Sequence, residues 1–112
     1  MGKYLFYVMR GEKLCFMHVL LNALDLSASG NEVKIIFEGQ SVTLPPVLAG
    51  EGNALYKKAL EDGLIAGVCL ACAKKLGAYD EVSALGLNFL SDMSGHAGMR
   101  SYTEQGYSVI TF

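Results

Sequence analysis

The sequence predicts an α/β domain in which a mainly parallel sheet of about five strands carries helices on both faces. Short apolar runs typical of buried strands alternate along the chain with longer segments typical of helices. Because parallel strands need crossovers of about this length, the alternation predicts βαβ units within one sheet. With 112 residues, of which 52% are hydrophobic, residues 1–112 fit a single domain with a substantial core.

The first half of the chain is predicted to hold two strands and a long helix. Residues 4–9 form a continuous apolar run rich in aromatic side chains, which is typical of a strand covered on both faces. Residues 13–28 lack glycine and proline, so we expect a largely buried helix that ends near Gly30. Residues 33–37 are predicted to be a second strand. Residues 41–51, which hold both prolines, are predicted to be an irregular crossing.

The middle of the chain leads from a capped helix to a pair of cysteines. Asn53 is a favoured N-cap residue, so a helix is expected from there to about residue 62. Residues 64–68 are predicted to be a third strand, and residues 69–76 a helix that Gly77 ends. This order places a Cys-x-x-Cys motif where a strand passes directly into a helix.

The last third of the chain is predicted to complete the sheet. Residues 82–90 favour a short helical turn followed by a strand. Asp92 or Ser94 is expected to cap a helix that runs to about residue 105. Residues 108–112 are predicted to be the final strand.

Charge and composition exclude several classes of function. The formal net charge is −2 and basic residues form no run, so a nucleic-acid partner is not expected. The apolar start of the chain is too short for a signal peptide, and no stretch is long enough to span a membrane. Three cysteines, an odd number, favour a cytoplasmic protein with reduced thiols. The high apolar share of so short a chain predicts a homo-oligomer.

The carboxyl edge of the predicted sheet is where a ligand is expected, as in other parallel α/β folds. The predicted strands place Arg10, residues 39–40, Cys69 and the loop of residues 92–96 at this edge. The candidate site is therefore predicted there.

Cys69 and Cys72 are the predicted reactive residues. Unpaired backbone N–H groups and the helix dipole favour an anion at a helix start, so Cys69 is expected to be the most reactive thiol and the first to be alkylated. Cys72 lies about one helical turn further on, where it could form a disulfide with Cys69 or resolve an adduct on it. The alternative is that both are small hydrophobic residues under a tight helix–sheet contact.

A second pair, Cys15 and His18, lies one turn apart on the first predicted helix. Together with Cys69 and Cys72 it could in principle bind zinc, but the separation of the two pairs matches no zinc ribbon. We interpret Cys15 as a core residue and His18 as part of a polar stripe that faces solvent or another subunit. No structural metal and no cofactor are therefore expected.

Two further residues, His96 and Arg10, are predicted to contribute to binding. His96 follows Gly95 near the strand ends, where it could act as a base or orient the Cys69 thiolate. A surface position at a helix start is the alternative for His96. Arg10 could hold an anionic ligand, although a single arginine in a loop is usually solvated.

Residues 69–77, CLACAKKLG, resemble the cysteine segment of the DsrE-like sulfur-relay family. That family places a cysteine after a strand, eight residues before a glycine that ends the helix, and some members have a second cysteine three residues after the first. Residues 30–39 are similar to the family's second strand, and the chain closes with a strand that ends in Phe112.

The resemblance implies a three-layer α/β/α domain that assembles into homo-oligomers. For some members it also implies a cysteine that carries sulfur as a persulfide between partner proteins, and the matching position here is Cys69. Sulfur donor and acceptor proteins would then be the partners of this chain. A non-catalytic oligomeric binding module of the same fold is the alternative, and thiol reactivity distinguishes the two.

Overall fold

The computed structural model describes residues 2–112, in which strands and helices alternate. The strands are β1 Lys3–Val8, β2 Glu32–Phe37, β3 Ile65–Cys69, β4 Phe89–Leu90 and β5 Ser108–Thr111. The helices are α1 Lys13–Ala28, α2 Leu44–Gly50, α3 Ala54–Glu61, α4 Leu70–Lys75, α5 Tyr79–Ala84 and α6 Arg100–Thr103. A 3-10 turn over Gly39–Thr43 precedes α2.

The five strands form one sheet, and all its neighbouring strands pair in parallel in the order β4-β3-β2-β1-β5. The steps from β1 to β4 move in one direction across the sheet, whereas the step from β4 to β5 returns to the opposite edge. Because such crossovers are right-handed, α1 to α5 lie on one face and α6 on the other. The predicted α/β fold with a parallel five-stranded sheet is confirmed.

The two central strands supply most of the core. Residues 5–8 of β1 and 35–37 of β2 are each at most 5% exposed, as their continuous apolar runs predict. Helix α1 packs on them through Phe16, whose ring centroid lies 5.1 Å from that of Phe37. Burial of one such ring stabilises a fold by about 1.5–3 kcal/mol. The carboxyl ends of β1, β2 and β3 are in register, so these strands end at a common edge.

The helix ends follow the predicted local chemistry. Helix α1 is followed by Gly30, whose φ of 88° ends the helical conformation at little cost for glycine. The Asn53 side chain caps α3, since its Oδ1 accepts a hydrogen bond from the Tyr56 amide at 3.0 Å. Gly77 follows α4 in the same way, with a φ of 73°.

Two predicted segments are wrong. Residues 41–51 are helical instead of irregular, because both prolines lie in the first turn of α2. The N–H groups of a first turn have no acceptor within the helix, so proline, which lacks this N–H, is tolerated there. The helix expected from Asp92 or Ser94 is reduced to α6. Ser94 and Gly95 adopt positive φ values of 51° and 89° and form a turn there.

Within residues 2–112, no helix is both long and apolar enough to cross a lipid bilayer. Helix α1 has 16 residues, whereas a transmembrane helix needs about 20.

Candidate functional site

Four side chains with nucleophilic or metal-binding chemistry meet at the carboxyl edge of the sheet. Glu38 follows β2, Cys69 ends β3, Cys72 lies in the first turn of α4, and His96 lies in the loop after β4. One ligand atom from each of the four lies within 4.8 Å of the others. We call these four residues the thiol cluster. The structure thus brings Cys69, Cys72 and His96 together at the edge where the sequence predicts the site.

Cys69 is held by the junction between β3 and α4. It is the last residue of the strand and the N-cap of the helix, with φ of −59° and ψ of 121°. Its Sγ accepts a hydrogen bond from the backbone N–H of Cys72 at 3.4 Å, as a capping side chain does. The sulfur therefore satisfies one of the otherwise unpaired N–H groups of the helix start.

The Cys69 side chain is buried, with 0% exposure, which disfavours the prediction that it is the first thiol to be alkylated. The loop after β4 lies over the junction, and the Ala71 amide donates a hydrogen bond to the Gly95 carbonyl at 2.9 Å. Cys72 is partly exposed, and the His96 side chain is 44% exposed. Access of any reagent to the Cys69 sulfur, a persulfide donor included, is therefore limited by this loop.

His96 is positioned by a tight turn. Met93 and His96 exchange both backbone hydrogen bonds at 2.9 Å, and the two residues between them have positive φ. Two successive positive φ values define the type I′ turn, for which serine and glycine are acceptable residues. The turn places His96 Nδ1 3.3 Å from the Sγ of Cys69 and 3.5 Å from the Sγ of Cys72.

Glu38 is the member of the thiol cluster that the sequence analysis missed. Its side chain is 6% exposed, and its Oε2 accepts hydrogen bonds from the Tyr7 hydroxyl and the Ala97 amide, both at 3.2 Å. Its Oε1 accepts hydrogen bonds from the Gly39 amide at 3.2 Å and from the Cys72 thiol at 2.7 Å. The sequence signal that could have identified Glu38 is its position as an acidic residue directly after a buried strand, at the same sheet edge as Cys69.

Burial and hydrogen bonding act in opposite directions on the acidic groups of the cluster. Burial alone would raise the pKa of Glu38, but hydrogen bonds from the two thiols and the Gly39 amide outweigh it and lower that pKa below 4.5. Burial and the hydrogen bond to Glu38 raise the pKa of Cys72 from 9.0 to about 12. Near neutral pH, the Glu38 carboxylate is therefore ionised and accepts a hydrogen bond from a neutral Cys72 thiol.

The remaining candidate residues are not members of the thiol cluster. Arg10 is exposed, and its Nη1 donates a hydrogen bond to Glu12 at 3.0 Å. Cys15 and His18 lie on α1, and neither belongs to the group of close ligand atoms found among the described residues. Cys15 is partly buried and His18 is exposed, so the predicted polar stripe of α1 does face solvent in the single chain.

Comparison with known proteins identifies a relative. The uncharacterized protein MJ0733 of Methanocaldococcus jannaschii is 35% identical to the chain over 97 residues, which cover 84% of the chain and 77% of that protein. The chain belongs to the same family as MJ0733. No family model matches the chain, and no solved structure matches it significantly. The name of this relative describes no activity.

The raised pKa of Cys72 predicts a loss of stability in alkali. A thiol with a higher pKa in the folded state stabilises the fold fully below its ordinary pKa of 9.0, and this contribution is lost as pH rises towards about 12. Urea unfolding of wild type and Cys72→Ser across this range should show a constant difference in unfolding free energy below pH 9.0 and a decrease in the wild-type value relative to the variant above it. A difference that does not change with pH would contradict the assigned environment of Cys72.

Proposed function

We propose that this protein is a sulfur carrier that takes up sulfane sulfur as a persulfide on Cys69. The observation that supports this most is the thiol cluster, in which a helix-capping thiol lies within 4.8 Å of a second thiol, a histidine nitrogen and a carboxylate oxygen. Exchange between thiols and persulfides requires a thiolate that attacks and groups that manage its proton. The thiol cluster brings such groups within 4.8 Å of one another.

The similarity of residues 69–77 to the cysteine segment of the DsrE-like sulfur-relay family supports the same role. On this resemblance Cys69 is the carrier and Cys72 is the second cysteine that some members of that family have. Donor and acceptor proteins that exchange sulfur through their own thiols are then the partners we expect.

Loading transfers one sulfur atom from a donor persulfide. The Cys69 thiolate attacks the outer sulfur of the donor, the S–S bond of the donor breaks as the new S–S bond forms, and the proton of the donor persulfide ends on the departing thiol. His96 Nδ1, at 3.3 Å from the Cys69 sulfur, is placed to accept the Cys69 proton before the attack. The exchange consumes no oxidant, because one persulfide and one thiol become another persulfide and another thiol.

Cys72 limits how long the sulfur stays on the carrier. If the Cys72 thiolate attacked the Cys69 persulfide, a Cys69–Cys72 disulfide would form and hydrosulfide would leave. The pKa of about 12 keeps Cys72 protonated at neutral pH, so this unproductive release is slow. The Glu38 carboxylate thereby protects the carried sulfur until the thiolate of an acceptor protein attacks it.

Sulfur loading of the whole chain tests this function. Reduced, metal-free protein incubated with a low-molecular-weight persulfide should gain the mass of one sulfur atom per chain, as measured by intact mass spectrometry under non-reducing conditions. Reduction should remove the added mass. A chain that gains no sulfur under conditions in which a free cysteine does would contradict the proposal.

Self-association is a further part of the proposal. Leu14 and Leu21 lie seven residues apart on one side of α1 and are 75% and 49% exposed in the single chain, although such side chains usually pack in a core. Light scattering at micromolar concentration should therefore give at least twice the chain mass of 12.0 kDa. A monomer at this concentration would rule out a stable homo-oligomer.

A further inference from the structure

We propose that the thiol cluster is also a binding site for a thiophilic divalent metal ion of the zinc class. Its donors are the sulfurs of Cys69 and Cys72, the Nδ1 of His96 and the Oε1 of Glu38. This inference goes beyond sulfur carriage, which needs a reactive thiol but no ligand from Glu38. It also revises the expectation of no structural metal, which rested on the spacing of Cys15 and His18 from the Cys-x-x-Cys motif.

The donor set matches the ligand preferences of zinc. Zinc sites in proteins combine cysteine sulfur, histidine nitrogen and carboxylate oxygen, and they are usually tetrahedral with four ligands. The four donors here come from β3 and its helix start, from the end of β2, and from the loop after β4. A metal ion at their centre would therefore join three separate segments of the chain.

Three of the six distances between the donors also fit. A metal bound at about 2.0–2.3 Å holds tetrahedral ligands about 3.3–3.8 Å apart. His96 Nδ1 lies 3.3 Å from Cys69 Sγ, 3.5 Å from Cys72 Sγ and 3.4 Å from Glu38 Oε1. Three edges of the tetrahedron thus already have the required length.

One edge of the tetrahedron is shorter than these three. The Cys72 thiol donates a hydrogen bond to Glu38 Oε1, and the two atoms lie 2.7 Å apart. A metal ion would replace this proton, and the two atoms would separate by about 0.6–1 Å to reach the tetrahedral spacing. Binding would release the thiol protons of both cysteines, since thiolate is the form that ligates.

The groups behind the ligands are arranged as in protein metal sites. The Tyr7 hydroxyl and the Ala97 amide hold Glu38 Oε2, so Oε1 is directed towards the sulfurs. The Cys72 amide donates a hydrogen bond to the Cys69 sulfur, which stabilises its charge as a thiolate. Such partners orient ligands and contribute about 10- to 100-fold to metal affinity.

Titration of the full chain with Co²⁺, a spectroscopic substitute for Zn²⁺, tests the proposal. Chelator-treated, reduced protein should bind one Co²⁺ per chain with thiolate-to-cobalt charge-transfer absorption and the visible bands of tetrahedral cobalt. One equivalent of Zn²⁺ should abolish both sets of bands. Wild type should also unfold at a higher temperature with Zn²⁺ than without it.

Variants identify the ligands. Cys72→Ser, His96→Asn and Glu38→Gln should each weaken Co²⁺ binding by more than about 100-fold, since removing a ligand costs more than removing a partner of a ligand. Cys15→Ser and His18→Asn, the matched controls outside the cluster, should bind as wild type does. His96 is partly exposed in a loop, so its variant should keep the wild-type circular dichroism spectrum even if Glu38→Gln unfolds.

Binding below one Co²⁺ per chain, or binding that survives His96→Asn and Cys72→Ser in folded protein, would overturn the proposal. Dependence on Cys15 or His18 would also overturn it. The sulfur-loading assay uses metal-free protein, so the metal site and the carrier function can fail independently of one another.

Discussion

Replacing Cys69 by serine is expected to slow sulfur uptake from a low-molecular-weight persulfide by more than about 100-fold. Serine is close to cysteine in size, and its hydroxyl oxygen can accept the capping hydrogen bond in place of the Cys69 sulfur, so the helix start should be retained. The substitution removes the attacking atom itself, whereas a supporting acid or base contributes about 10²–10⁴-fold to a reaction. The rate is measured as the appearance of the sulfur adduct by quenched intact mass spectrometry.

The other two cysteines serve as matched controls in this experiment. Cys15→Ser should load at the wild-type rate, because Cys15 lies on α1 outside the thiol cluster. Cys72→Ser should still accept sulfur and should hold it longer, since the thiol that can expel hydrosulfide is gone. Sulfur uptake that survives Cys69→Ser but is lost in Cys72→Ser would show that Cys72 is the carrier and would contradict the proposed role of Cys69.

Replacing Glu38 by alanine is expected to lower the free energy of unfolding by about 2–5 kcal/mol, because buried donors lose their acceptor. The Ala97 residue is 0% exposed, and its amide donates to Glu38 Oε2. The Tyr7 hydroxyl keeps a second acceptor, the Ala97 carbonyl at 2.8 Å, so the loss comes mainly from the amides and the Cys72 thiol. Urea unfolding measures the effect. Glu61→Ala, which removes an exposed carboxylate at the end of α3, should change stability by less than about 0.5 kcal/mol.

The Glu38 carboxylate also makes the free energy of unfolding depend on pH in the acidic range. The pKa of Glu38 is lower in the folded state, so its contribution is present above its ordinary pKa of 4.5 and is lost as pH falls through the folded-state value. Wild type should therefore lose stability below pH 4.5 more steeply than Glu38→Gln, which does not titrate.

Equal stability of wild type and Glu38→Ala at pH 7 would show that the buried hydrogen bonds of Glu38 contribute little.

Much of the fold follows from local sequence patterns. The continuous apolar runs of β1 and β2 predict strands covered on both faces, and the lack of glycine and proline over Lys13–Ala28 predicts α1 with its observed bounds. The strand-to-helix position of Cys69 and the proximity of Cys72 also follow from spacing alone. These features depend on residues that are close in sequence.

Features that depend on distant contacts were less predictable. Glu38 is an ordinary polar residue after a strand until Tyr7 and Ala97, from two other segments, hold its carboxylate in the cluster. The burial of Cys69 likewise depends on the loop after β4, where the positive φ values of Ser94 and Gly95 replace the start of the expected helix by a turn. Helix propensity alone could not reveal this turn, because tertiary contacts decide it.

Mapping of the sulfur adduct tests the central claim most directly. Wild-type protein is loaded with a persulfide donor, its thiols and persulfides are blocked, and its peptides are sequenced by tandem mass spectrometry. We predict that the added sulfur atom lies between Cys69 and its blocking group, whereas Cys72 carries the blocking group alone. An adduct confined to Cys15, or a Cys69 that carries the blocking group without added sulfur while the protein is loaded, would contradict the assignment of Cys69 as the carrier.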